Sequence, residues 1–230
     1  KTNTLVIDPP LIWGTYYGTY YVGTREIATD NNGNLFWTGY VSSNAFPTYD
    51  PGTGNYFQGT FVGGVQDVGI MKFSNTGVRL WATFYGGSGD DWPYGIACDA
   101  TGNVYITGYT VSSNFSLQVL AGAYNQSTIS GEDAFILKFD NNGVRLWATL
   151  FGSLSQDNGY DITIDNTGNI YMVGFTNTPT GFGFPLQNAG GFYQATNNGG
   201  SNGHDAFITK FGPAGNLQWC TYYGGNEDDQ

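Results

Sequence analysis

Positive charge is scarce in this chain. Of its 230 residues only seven are lysine or arginine, against 18 aspartates and glutamates, for a net charge of −11. A surface of that sign repels a phosphate backbone, which argues against nucleic acid as a partner. Histidine occurs once, at His204. A Ser-His-Asp triad inside the segment would have to use that one imidazole, and no nucleophile elbow stands near it. Zinc chemistry lacks its usual His/Cys cluster. The two cysteines, Cys98 and Cys220, align with different small or apolar positions of the pattern described next, so both read as small buried thiols. No apolar run approaches the roughly 18 residues that span a bilayer. What is abundant is glycine, 36 residues, and aromatic side chains, 17% of the chain. That is too aromatic for disorder, and the glycines lack the period of three that a collagen helix needs.

Four times a tryptophan is followed by an aromatic or apolar tail and a glycine. The phrases are Trp13 to Gly18, Trp81 to Gly87, Trp147 to Gly152 and Trp219 to Gly225, and they recur every 66 to 72 residues. A period of this size marks a repeat architecture. Within each period four strand-like segments return. The first ends in Asp30, Asp99 or Asp165, with a glycine three residues on at Gly33, Gly102 or Gly168. Aspartate at the start of a turn bonds the backbone ahead of it, and glycine supplies the left-handed conformation of a tight hairpin. The second segment is short and rich in β-branched and aromatic residues, such as Val104-Tyr105-Ile106-Thr107-Gly108-Tyr109. The third opens on Asp67, Asp133 or Asp205 and turns at Gly77, Gly143 or Gly215 into the fourth, which carries the tryptophan.

Four antiparallel strands joined by hairpins make a propeller blade. The expected fold is therefore all-β: a β-propeller of about three complete four-stranded blades, near 20–86, 92–152 and 158–224, plus one extra strand at 12–18. That is an incomplete ring, since closure takes about four to eight blades. Residues 1–11, with Pro9-Pro10, read as an extended lead-in, and 12–230 as the propeller segment. The first strand of each blade is expected innermost and the tryptophan strand outermost.

The blocks Gly102 to Thr110, Asp133 to Phe139 and Trp81 to Asp91 resemble the bacterial SBBP β-propeller repeat. So do the long-loop residues Phe46-Pro47, Phe115 and Phe184-Pro185, with Tyr56/Gln58, Tyr124/Gln126 and Tyr193/Gln194. The resemblance covers about residues 12 to 230. It implies a secreted or cell-surface bacterial protein, often from Bacteroidetes and exported by the type IX route.

Half the acids are periodic, as turn-forming residues would be. The Gly-Gly-x-x-Asp-Asp segments also gather hard oxygens, so Asp90, Asp91, Asp228 and Asp229 are candidate calcium ligands, calcium being the one cofactor considered. The long second-to-third connections, 41–66, 110–132 and 176–204, share a face with the Asp-Asp segments. Loops of that length bind something or pack as covers. Their Tyr49, Tyr56, Tyr124 and Tyr193 are candidate ligand or interaction residues, although their periodicity also suits pins that fasten the loops to the blades. His204 aligns with Gln66 and Glu132, as a non-catalytic position would. The expectation is a non-catalytic structural and protein-interaction module. Its partners would be other proteins, other parts of the same long chain or a surface glycan, with no membrane span. The alternatives are a carbohydrate-binding module on the loop face and a glycan-active enzyme domain.

Overall fold

In the computed structural model the described residues are 12–18, 22–52, 54–199, 203–227 and 229. The expected lead-in 1–11 lies outside them. Twelve strands form three separate four-stranded sheets. The first sheet holds β1 (Val22–Thr29), β2 (Leu35–Val41), β3 (Asp67–Phe73) and β4 (Arg79–Tyr85). The second holds β5 (Asp91–Cys98), β6 (Val104–Thr110), β7 (Asp133–Phe139) and β8 (Arg145–Phe151). The third holds β9 (Asp157–Ile164), β10 (Ile170–Thr176), β11 (Asp205–Phe211) and β12 (Leu217–Tyr223). Every pairing is antiparallel and joins strands consecutive in sequence. No helix occurs among the described residues, and the sheets do not close a ring. The chain is an all-β array of propeller blades, with the leading strands β1, β5 and β9 side by side on the inner edge.

The hairpins form as their sequences dictate. Asp99 Oδ1 accepts the backbone N–H groups of Thr101 and Asn103 at 2.9 and 3.0 Å, and Gly102 turns with φ +82°. The equivalent bonds recur at Asp30 and Asp165. The core lies between blades, where the fourth-strand tryptophans of the first two blades dock on the third strand and hairpin of the next blade. Trp81 packs on Phe139 and Gly143, and Trp147 on Phe211 and Gly215.

Residues 12–18 depart from the expectation of an extra strand. They have no strand ladder, because no described strand lies beside their backbone to pair with it. Their side chains nonetheless occupy the place of an outer strand. Trp13 packs on Phe73 and Gly77, as Trp81 does on Phe139 and Gly143. Tyr17 Oη donates to the carbonyl of Pro47 and accepts from Arg79, as Tyr85 does with Ser116 and Arg145.

Both cysteines are free thiols, Cys220 fully buried and Cys98 half-buried.

Candidate functional site

The four tyrosines chosen from the loops do not gather into one surface. Tyr56 and Tyr124 are built into the blade junctions. The Tyr56 backbone N–H donates to Gly143 of the next blade at 2.9 Å, and its ring lies 4.9 Å from Tyr85 under the Arg145 guanidinium. Tyr124 likewise bonds Gly215 and packs on Phe151 and Phe211. The neighbouring glutamines fasten the loops. Gln126 takes the Thr149 hydroxyl as acceptor for its N–H and accepts the Tyr124 hydroxyl at 2.8 Å. Gln58 and Gln194 repeat the bond to Thr83 and Thr221. Tyr193 is half-buried beside this clasp. Tyr49 is 41% exposed, bridges to Ala82 and lies beneath Arg79.

The acidic segments separate in the same way. Adjacent residues on extended chain face opposite sides. Asp90 turns outward and accepts the Val65 N–H. Asp91 turns inward and is fully buried. It accepts Gly87 N–H at 2.7 Å and the Ser112 hydroxyl at 2.8 Å, with a third bond from Thr110. Asp229 repeats the first of these with Gly225 at 2.6 Å. Asp228 lies outside the described residues. Among the described residues no group of three or more His, Cys, Asp or Glu side chains is placed to hold a metal ion.

A different constellation forms on the inner strands. Each leading strand carries one β-bulge, between Thr24 and Glu26, between Pro93 and Gly95, and between Gly159 and Asp161. The residues squeezed out of register are Arg25, Tyr94 and Tyr160. A bulge re-aims a side chain and recurs next to functional sites. It is possible here because the opposing residues are Gly39, Gly108 and Gly174, so the carbonyl of Gly23, Trp92 or Asn158, two residues before the bulged one, closes on bare backbone.

The bulged residues sit in a continuous aromatic row. Tyr40 contacts Trp92 at 5.0 Å, Trp92 stacks on Tyr109, and Tyr94 meets both Tyr109 and Tyr160. The row continues from Tyr160 to Phe175 and His204. Arg25 lies over Tyr40, Trp92 and Tyr94 at 5.0 to 5.2 Å. Glu132 accepts from Asn158, and its charge reaches Tyr94, Tyr109 and Tyr160. Burial, assisted by that charge, pushes the Tyr94 and Tyr109 phenols up. These residues stand where the inner strands meet the long loops.

Sequence reading passed over this row. The signal was nevertheless present: Arg25 replaces the tyrosine of Tyr94 and Tyr160, and Trp92 replaces Asn158, so the period breaks at neighbouring positions.

A second exposed surface is the outward face of the third blade. Ile208, Trp219, Thr221, Tyr223 and Phe192 line a groove of about 500 Å³, with Phe192 71% and Tyr223 60% exposed.

Segments 80–116 and 146–183 match the family model of SBBP, a beta-propeller repeat. The regulatory protein FlaEY of Caulobacter vibrioides is 24% identical over 194 residues, covering 84% of this chain and 18% of that protein. An uncharacterized WD repeat-containing protein of Acanthamoeba polyphaga mimivirus is 25% identical over 177 residues, covering 67% of this chain and 12% of that protein. This chain therefore spans only a small part of the length of either relative. Among solved structures, the acylaminoacyl peptidase of Pyrococcus horikoshii superposes with a TM-score of 0.44 at 10% identity, over 89% of this chain and 25% of that one.

Proposed function

Because the chain carries SBBP beta-propeller repeats, we propose that it is a non-catalytic structural and protein-interaction module that works through its exposed blade face. The observation that carries this reading is the repeated dock between blades. Trp13, Trp81 and Trp147 each sit on a β3-type strand and hairpin glycine. Trp219 presents the same face to the groove with Ile208, Tyr223 and Phe192, and no described hairpin covers it. An apolar face of this kind calls for a partner in water. The occupant that fits is another blade of the same repeat. The setting that goes with this reading is secreted or cell-surface in a bacterium, as the repeat resemblance implies.

The test is a chain extended by a second copy of 158–224 after residue 230. The expected result is a higher Tm and blue-shifted, quencher-protected Trp219 fluorescence. Trp219→Ala in the extended chain should remove most of the gain. An extension that leaves both Tm and Trp219 emission unchanged overturns the reading. Turnover of glycan, ester or peptide substrates by the purified segment would overturn its non-catalytic part. Cell fractionation and surface protease shaving test the location.

A second reading has its own observation. The row Trp92, Tyr94, Tyr109 and Tyr160, edged by Glu132 and Asn158, pairs aromatic faces with polar groups in the manner of a sugar platform. Glycan-array binding that is lost in Trp92→Ala would favour it.

A further inference from the structure

We propose that one hard divalent cation of the Ca²⁺ type sits beside the last strand of each blade, between the aspartate that opens the third strand and the aspartate five residues beyond the glycine that follows the fourth strand. The pairs are Asp67 with Asp91, Asp133 with Asp157, and Asp205 with Asp229. This site differs from the sequence-adjacent pairs Asp90-Asp91 and Asp228-Asp229, and it does not rest on the interaction reading.

Three observations carry it. The first is convergence. A Cβ placed on Gly86 would stand 2.8 Å from Asp67 Oδ1 and 2.7 Å from Asp91 Oδ2. At Gly152 the corresponding distances to Asp133 Oδ1 and Asp157 Oδ2 are both 2.5 Å, and at Gly224 they are 2.4 Å to Asp205 Oδ1 and 2.9 Å to Asp229 Oδ2. Glycine at these positions leaves the space between the two carboxylates open.

The second is an orphaned acceptor. Asp67, Asp91, Asp133, Asp157 and Asp205 are all fully buried. The Oδ2 atoms of Asp67, Asp133 and Asp205 accept backbone N–H groups from Val62, Ser130 and Asn198. The Oδ1 atoms of the same three residues are buried with no hydrogen-bond partner. These are the atoms turned toward the second carboxylate. An unpartnered buried acceptor is costly, and three in equivalent places are not an accident of one loop.

The third is missing countercharge. Among the described residues the one ion pair is Lys72 with Asp30, at the opposite, hairpin end of the blade. The charges acting on Asp67, Asp91 and Asp157 are those of other aspartates. Two buried like charges need either a proton or a cation. A proton neutralises one carboxylate of a pair and leaves the other charged, whereas a divalent cation balances both and needs no contact between them.

A cation joins them without that contact. Gln58, Gln126 and Gln194 Oε1 each accept the N–H of the same glycines, at 3.4, 3.2 and 3.4 Å, and Gln58 and Gln194 donate Nε2 to Asp67 and Asp205 Oδ2 at 3.4 and 3.0 Å, so these amides hold the carboxylates in place. Calcium takes six to eight oxygens, so the remainder come from backbone carbonyls and water. With two carboxylates per site the expected Kd is about 10⁻⁴–10⁻³ M.

The experiment uses the full chain stripped with chelator and titrated with CaCl₂. Calorimetry should give more than one site per chain in that range. Tm should rise by about 3–6 °C per filled site at tenfold excess over Kd. Asp133→Asn should lower the stoichiometry by one, whereas Asp50→Asn, in an exposed loop, should leave it unchanged. If Asp133→Asn does not fold, terbium luminescence on the wild-type chain, sensitised by the nearby tyrosines and displaced by calcium, replaces it. No binding heat with no Tm change at 10-fold the expected Kd overturns the proposal, as does unaltered stoichiometry in Asp133→Asn or terbium emission that calcium does not displace.

Discussion

Adding one methyl group at Gly108 should do more damage than removing a whole exposed side chain. Gly108 lies on β6, paired on one side with Pro93 and on the other with Phe135. A Cβ there would stand 1.8 Å from the Trp92 carbonyl oxygen and 2.8 Å from Pro93 Cα. Both are backbone atoms, so no side chain can swing aside. Relief requires undoing the bulge that displays Tyr94 or parting β5 from β6. Overpacking alone costs about 1–3 kcal/mol. With the bulge lost as well, about 3 kcal/mol or more is expected, which lowers Tm by roughly 6–12 °C in a chain of this size. Thermal unfolding followed by far-UV circular dichroism measures it, and Trp92 fluorescence reports the local change. Gly191→Ala is the control, because an added Cβ there meets nothing within 4 Å. Its Tm should stay within about 2 °C of wild type. A Gly108→Ala protein that melts within the same margin would refute the argument that this glycine admits the bulge.

Three further outcomes follow from named contacts. Arg145 donates to the Tyr85 hydroxyl at 3.0 Å and the Ser116 carbonyl at 3.1 Å, yet the junction of the second and third blades has Phe151 and Leu217 at the matching positions. Tyr85→Phe and Arg145→Leu should each cost about 1–2 kcal/mol, and the double variant clearly less than their sum, by denaturant unfolding; strict additivity would contradict coupling. The metal-free chain should gain stability as pH falls from about 8 to about 4. Burial holds Asp67, Asp133 and Asp157 above the unfolded carboxylate value, so the folded state binds protons first across that window. Below about 4 the trend should reverse, since the Asn169 and Thr167 bonds hold Asp165 low and the unfolded chain then binds protons first; a Tm that falls steadily from pH 8 downward would contradict the first half. Finally, Gln126→Ala should release the 118–130 loop, seen as faster proteolysis there, because that amide bonds both Tyr124 and the Gly152 N–H; an unchanged cleavage pattern would count against the clasp.

What the sequence decided by itself is local. Asp99 through Asn103 contains the turn aspartate, the glycine and the asparagine that close the hairpin, so strands, turns and the four-strand repeat are readable without coordinates. The recurrence of the tryptophans was readable too, but their docking on the next blade's third strand came from the tertiary structure. The tertiary structure decided what depends on direction and on neighbours. Asp90 and Asp91 look like one cluster on paper, but extended chain points them apart, and Asp91 meets Asp67 across Gly86 instead. Tyr56 and Tyr124 sit in long polar loops, yet the adjoining blade takes them into its packing. Arg25, Tyr94 and Tyr160 follow strict alternation in the sequence, and a single bulged residue in each inner strand turns them out of it. Periodicity fixes which side chains recur. Which of them touch is set by the register between strands and by the blade alongside.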